Sequence, residues 1–265
     1  MSKRILIVLH QEHSTPGRVG RLLQERGYAL DIRRTPLGQP LPDTMDEHDG
    51  AVVFGGPMSA NDEHPWVKDQ IDWIGSVLRA RKPYLGLCLG AQMLVRQLGG
   101  RVDAHPEGHA EIGYYALRPT DKGQGFSQEI GAPWPGRVYQ WHREGFDMPG
   151  CCEPLAEGDI FPHQAFRCGE RAFGLQFHPE VTYAMMCRWT VRAHERMAMP
   201  GARPRHEHLQ GWHLNDPQVR TWLDAFLDHW LSPPAASTAP TCADRAAAAD
   251  PARMAEPARR FAELV

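Results

Sequence analysis

The chain has no long apolar run. Its first, Ile5 to Leu9, is five residues, too short for a signal-peptide core or a membrane span, and it reads as a first strand. Charge of one sign is also missing: Lys plus Arg number 29 against 32 Asp plus Glu. That balance gives neither the basic excess of a nucleic-acid binder nor an acidic solvating block. The six cysteines, at positions 88, 151, 152, 168, 187 and 242, form no C-x-x-C pair, so neither a metal framework nor a secreted disulfide scaffold is expected. There is no Walker-type phosphate loop, no S-G-G-x-D-S-like stretch for ATP pyrophosphate chemistry and no internal repeat. The expectation is a cytoplasmic protein without membrane or nucleic-acid partners, and with neither metal nor cofactor.

What is present is an alternation of strand and helix patterns. Ile5 to Leu9, Ala51 to Phe54 and Tyr84 to Leu87 are continuous apolar runs, as in parallel strands buried on both faces; Tyr28 to Ile32 alternates. Between them lie helical spacings: Val19, Leu22 and Leu23, opened by Thr15 as cap and Pro16 in the first turn, then Trp66 to Leu78, and Leu89 to Leu98 closed by Gly99-Gly100. This order predicts an α/β fold, a mostly parallel sheet with helices on both faces. From residue 101 shorter strand-like pieces appear (113–117, 137–141, 165–168, 172–177), expected as a smaller antiparallel extension. Helical segments follow near 182–198 and 217–231. In the second, Asp216 reads as the cap, Pro217 as the first residue, and Val219, Trp222, Leu223, Phe226, Leu227, Trp230 and Leu231 as one core-facing stripe. The domain is therefore expected to span 1–231, with 232–265 an Ala/Pro-rich, disordered tail. His206, His208 and His213 read as solvated loop residues.

Three stretches carry chemistry. Gly86-Leu87-Cys88-Leu89-Gly90 has the spacing of a nucleophile elbow, G-x-[S/C]-x-G, between a strand and a helix. A sharp turn there requires small neighbours, the helix N-terminus favours a thiolate, and the Leu89 N–H sits where an oxyanion would form. The same five residues also fit a buried strand-end cysteine. Gly174-Leu175-Gln176-Phe177-His178-Pro179-Glu180 ends a strand on a histidine with a carboxylate two residues on. That spacing lets Glu180 orient His178 as a base, although the chain has fourteen histidines. Phe54-Gly55-Gly56-Pro57 places two glycines directly after a strand, either for close backbone approach, with Gly56 as a second oxyanion donor, or simply as a tight turn.

Together, F-G-G-P at 54–57, G-L-C-L-G-A-Q at 86–92, E-I-G-Y at 111–114, V-Y-Q-W-H at 138–142 and G-L-Q-F-H-P-E at 174–180 resemble the class I glutamine amidotransferase family, the flavodoxin-like triad type. The resemblance covers about residues 4 to 185 and is strongest to stand-alone members. It implies Cys88 as nucleophile, His178 as general base, Glu180 as its orienter, and an oxyanion hole from Gly56 and Leu89. It places Gly55 and Gln92 against bound glutamine, and the loop of His142 and Arg143 over the substrate's amino-acid end. Many relatives have His-Gly-Asp where this chain has His142-Arg143-Glu144. The implied reaction splits the side-chain amide of glutamine, or of another γ-glutamyl compound, through a thioester. With no synthetase domain, released ammonia would pass to a separate synthetase subunit or be lost by plain hydrolysis. A γ-glutamyl peptidase using the same triad is the alternative; a non-catalytic binding protein and a DJ-1-like redox protein fit the motifs less well.

Overall fold

A computed structural model describes residues 3–233; the expected tail falls almost wholly outside them. In chain order the elements are β1 (Arg4–Val8), α1 (Gly17–Glu25), β2 (Ala29–Arg33), β3 (Gly50–Val53), α2 (Pro65–Arg79), β4 (Tyr84–Leu87), α3 (Leu89–Gln97), β5 (Val102–Ala104), β6 (Glu111–Ala116), β7 (Arg118–Pro119), α4 (Asp121–Ile130), β8 (Arg137–His142), β9 (Glu144–Phe146), β10 (Cys152–Glu157), β11 (Ala165–Cys168), β12 (Ala172–Leu175), α5 (Tyr183–Arg192) and α6 (Arg205–Leu231). Short 3-10 turns cover Thr35–Leu37 and His194–Ala198.

The main sheet runs β2-β1-β3-β4-β12-β11-β10-β7. Its pairings from β2 to β12 are parallel and those from β12 to β7 antiparallel. Two small antiparallel pairs, β5–β9 and β6–β8, complete it. This is the expected α/β architecture with an antiparallel extension. Strand alternation explains the layers. Ile5, Ile7 and Leu9 join a core with α1 and the last four turns of α6, while Leu6 and Val8 join a second core with α2 and α3. Each fully buried Leu, Ile or Val contributes about 1.5–3 kcal/mol, which is why β1, β3 and β4 read as unbroken apolar runs. No helix among the described residues is long and apolar enough to cross a membrane.

Three expectations need correction. Thr15 does not cap α1: Pro16 takes the cap position with no side-chain hydrogen bond, and the Thr15 hydroxyl points toward the Met185 sulfur. Helix α6 begins at Arg205, twelve residues before Pro217, which lies inside it. Asp216 is no cap; it pairs with Arg18 at 2.5 Å. His208 is not solvated but fully buried, bonded to the Tyr139 hydroxyl and the Arg203 carbonyl, each at 2.9 Å.

Candidate active site

The parallel strands β1, β3, β4 and β12 end on one edge of the sheet, where open α/β folds bind ligands. Cys88 follows β4 and occupies the cap position of α3 with φ +50° and ψ −105°. A non-glycine residue held at positive φ is strained and must be fixed by its surroundings. Both flanking glycines explain how. A Cβ on Gly86 would lie 2.5 Å from the Gly90 carbonyl, and a Cβ on Gly90 only 2.1 Å from the Val53 oxygen. The turn closes because both side chains are absent, and the Cys88 N–H donates to the Leu175 carbonyl at 2.7 Å while its own carbonyl accepts from Ala91 and Gln92.

That bond ties the elbow to β12. The register pairs Leu175 with Leu87, so the residues after β12 run beside the elbow. His178 is fixed through its N–H on the Tyr139 carbonyl at 2.9 Å. Its Nδ1 lies 2.7 Å from Glu180 Oε1, both side chains being buried. The two meet across a turn rather than along an extended strand: Pro179 and Glu180 are turn residues and the Val181 N–H closes on the His178 carbonyl. Glu180 is held in its turn by α1, because its carbonyl accepts the Arg18 N–H at 2.8 Å and a Cβ on Gly17 would stand 2.3 Å from that oxygen. Among the described residues no side chain lies in hydrogen-bonding geometry on His178 Nε2, which faces Cys88. Burial would lower this imidazole, and it is the largest single influence. The charges of Glu180 and of a Cys88 thiolate, with hydrogen bonding added, outweigh it and push the group up to about 10.

Gly55 sits between the Cys88 and His178 side chains: a Cβ there would be 2.8 Å from His178 Cε1 and 3.3 Å from Cys88 Cβ. Gly56 has the same need for space, its missing Cβ falling 2.8 Å from His10 Cβ and 3.1 Å from Leu89. Among the described residues neither the Gly56 N–H nor the Leu89 N–H has an acceptor. His10 supports this loop from beneath. It bonds the Gly55 carbonyl and the Gln70 amide, and burial lowers its pKa, so it stays neutral.

The Cys88–His178 pair opens into a cavity of about 390 Å³, lined also by Gly55, Gly56, Pro57, Trp141, Trp189, the segment Gln11 to Thr15 and the arginines of α5. Gln92, His142 and Arg143 do not line it. Gln92 is buried and donates to Gln176 Oε1 at 3.2 Å and to the Glu144 carbonyl at 3.0 Å. His142 is buried between that same carbonyl, 2.9 Å away, and Glu111 Oε2, 3.0 Å away. Arg143 is exposed in the turn between β8 and β9. Gln92 and His142, expected against substrate, instead join a buried network behind Cys88. Its forward member was missed in the sequence: Gln176 Nε2 reaches Cys88 Sγ at 3.6 Å. The signal was a lone amide between Leu175 and Phe177, both fully buried. Trp189, whose ring meets His178 edge-on at 5.0 Å, carried no sequence signal.

The Glutamine amidotransferase class-I family model matches residues 13–186. The chain is 33% identical over 187 residues to the glutamine amidotransferase-like protein YfeJ of Salmonella typhimurium, covering 68% of this chain and 76% of that one. It is 26% identical over 161 residues to gamma-glutamyl peptidase 3 of Arabidopsis thaliana, covering 59% of this chain and 64%, just under two thirds, of the plant protein. A crystal structure of a glutamine amidotransferase from Thermotoga maritima superposes with a TM-score of 0.78 at 27% identity, over 88% of this chain and 100% of that one.

Proposed function

The chain belongs to the class I glutamine amidotransferase family, and from that premise we propose that it hydrolyses the side-chain amide of glutamine or of a γ-glutamyl compound, with Cys88 as nucleophile, His178 as acid and base, and Glu180 as the orienter of His178. The observation that carries this reading is Cys88 held at positive φ at the mouth of a cavity beside His178, whose other nitrogen is bonded to Glu180.

The Cys88 thiolate attacks the amide carbon, forming a C–S bond and a tetrahedral oxyanion. The free N–H groups of Gly56 and Leu89 are the proposed donors to that oxyanion; one such donor is worth roughly 3–4 kcal/mol of barrier. His178, raised to about 10, holds its proton at neutral pH and gives it to the departing nitrogen as the C–N bond breaks. Neutral His178 then takes a proton from water as the water oxygen attacks the thioester, releasing glutamate and restoring the thiolate–imidazolium pair. Gln92 and His142 act behind the nucleophile.

Two fates of the nitrogen remain. Ammonia from glutamine can pass to a separate synthetase subunit, or the enzyme is a hydrolase of γ-glutamyl amides. The second is favoured by the cavity, which continues past the reactive pair to Arg188, Arg192 and Arg196. Turnover of glutamine and of γ-glutamyl dipeptides by the pure protein, with Cys88→Ala as control, tests the proposal. Release of glutamate from either, lost in the variant by about 10⁴-fold or more, is expected. A Cys88→Ala protein as active as the wild type would overturn it.

A further inference from the structure

We propose that Arg188, Arg192 and Arg196 form an anion subsite for the leaving side of the substrate, binding a carboxylate carried by the departing amine. The substrate class is then γ-glutamyl amino acids or short γ-glutamyl peptides with a free carboxylate beyond the scissile amide. The inference rests on the γ-glutamyl reading above and names its substrate.

All three arginines line the cavity that contains Cys88 and His178. Arg188 and Arg192 lie on α5, and Arg196 on the 3-10 turn that continues it. Arg188 and Arg192, four residues apart, share one face of α5, where like charges repel and destabilise the helix. Among the described residues none of the three has an acidic partner. Some other arginines are paired, Arg26 with Asp224 and Asp228, Arg33 with Asp31, Arg167 with Glu129 and Glu153, and others are not; what sets these three apart is that they share the wall of one cavity with Cys88 and His178. The two exposed carboxylates of this cavity, Glu12 and Glu195, lie beside histidines instead, 3.9 Å from His13 and 3.7 Å from His194.

A row of repelling, unpaired guanidinium groups on the wall of a reactive cavity is what a carboxylate would stabilise, since the planar fork matches it with two parallel N–H···O bonds. The row also reaches beyond a single guanidinium: Arg188 and Arg192 lie about 6 Å apart along the α5 axis, and Arg196 extends it on the 3-10 turn past Ala193, whereas the α-carboxylate of a γ-glutamyl unit lies only a few bonds from the reacting carbonyl. The indole of Trp189, on the same helix, supplies an apolar wall against which such an ion pair is less screened.

The test compares γ-glutamylglycine with γ-glutamylglycinamide, which differ only in the carboxylate of the leaving amine. The wild type is expected to favour the carboxylate by about ten-fold in kcat/KM, Arg188→Glu/Arg192→Glu to reverse the order, and Arg188→Lys/Arg192→Lys to restore part of it. A wild-type ratio near one, or a ratio unmoved by charge reversal in a protein with an unchanged circular dichroism spectrum, overturns the subsite. Calorimetric titration of the Cys88→Ala protein with the same two compounds separates this from the catalytic reading. Tighter binding of the carboxylate without hydrolysis by the wild type sinks the reaction and keeps the subsite. Equal affinity sinks the subsite whatever the chemistry.

Discussion

At the scale of single residues, the site is governed by space left empty and by one raised imidazole. Gly55→Ala would put a methyl group 2.8 Å from His178 Cε1 and 3.3 Å from Cys88 Cβ, so the ring has to move. A misplacement of this size is expected to lower kcat by about 10²-fold with the thermal midpoint little changed, as measured by steady-state kinetics beside calorimetry. The charge on His178 makes a second prediction. Its folded pKa is raised to about 10 from 6.5. Its contribution to stability is therefore fully present below pH 6.5 and is lost as pH rises through 10. The proton needed by the leaving nitrogen is lost over that same upper range, so the alkaline limb of kcat should belong to the coupled Cys–His pair and lie well above an ordinary imidazole. Glu180→Gln removes a charge that raises His178 and should move that limb toward neutral pH; an unmoved limb would mean that Glu180 does not tune the base. These residues stood out in the sequence because each sits at a strand end with glycine or proline beside it. The left-handed backbone of Cys88 was implied by the elbow spacing, but the contacts that demand it, such as Gly90 of α3 against Val53 of β3, join elements distant in sequence and were not.

At the scale of elements, the register between β4 and β12 brings Cys88 and His178 together, and a buried polar layer from β6, β8 and β9 stands behind them. Glu111 accepts from His142 and from Gln164, and the Glu144 carbonyl gathers His142 and Gln92, which leads through Gln176 to the sulfur. Gln92→Leu breaks this layer in the middle. It leaves the Gln176 Oε1 and one bond of the Glu144 carbonyl unmet, costing about 1–3 kcal/mol of stability. Because Gln92 does not line the cavity, kcat should fall while KM stays near its original value; a rise in KM alone would show that Gln92 binds substrate after all. Apolar runs gave away β1, β3 and β4. Helix α4 was missed because only Gly123 and Phe126 of its residues are buried, so no stripe marks it. The first half of α6 was missed for a related reason: it buries His208 and Gly211, a histidine and a glycine packed on Tyr139 and Tyr114, while Leu214 is exposed. Asp216 followed by Pro217 then imitates a helix start, although the proline ring is accommodated within a helix already under way.

At the scale of the whole molecule, the last helix is connected to the Glu180 turn through the first. Arg18 of α1 pairs with Asp216 of α6 and lies over the Trp212 ring at 5.2 Å, and its N–H holds the Glu180 carbonyl. Asp216→Ala would leave a buried guanidinium uncompensated; a loss of about 3–5 kcal/mol is expected, visible in urea unfolding, with activity declining as the Glu180 turn loosens. Such couplings are invisible to periodicity, since they join residues about two hundred positions apart. The parallel strands and the family motifs were legible; what lies behind Cys88, and the arginine wall in front of it, emerged only in three dimensions. The account as a whole stands on Cys88 being the atom that is acylated. Labelling the full chain with a glutamine-analogue affinity reagent, followed by mass mapping of peptides, tests that directly. The prediction is one adduct per chain on the peptide carrying Cys88, blocked by prior addition of glutamine or γ-glutamylglycine. An adduct on Cys151, Cys152 or Cys187 with Cys88 untouched would contradict it.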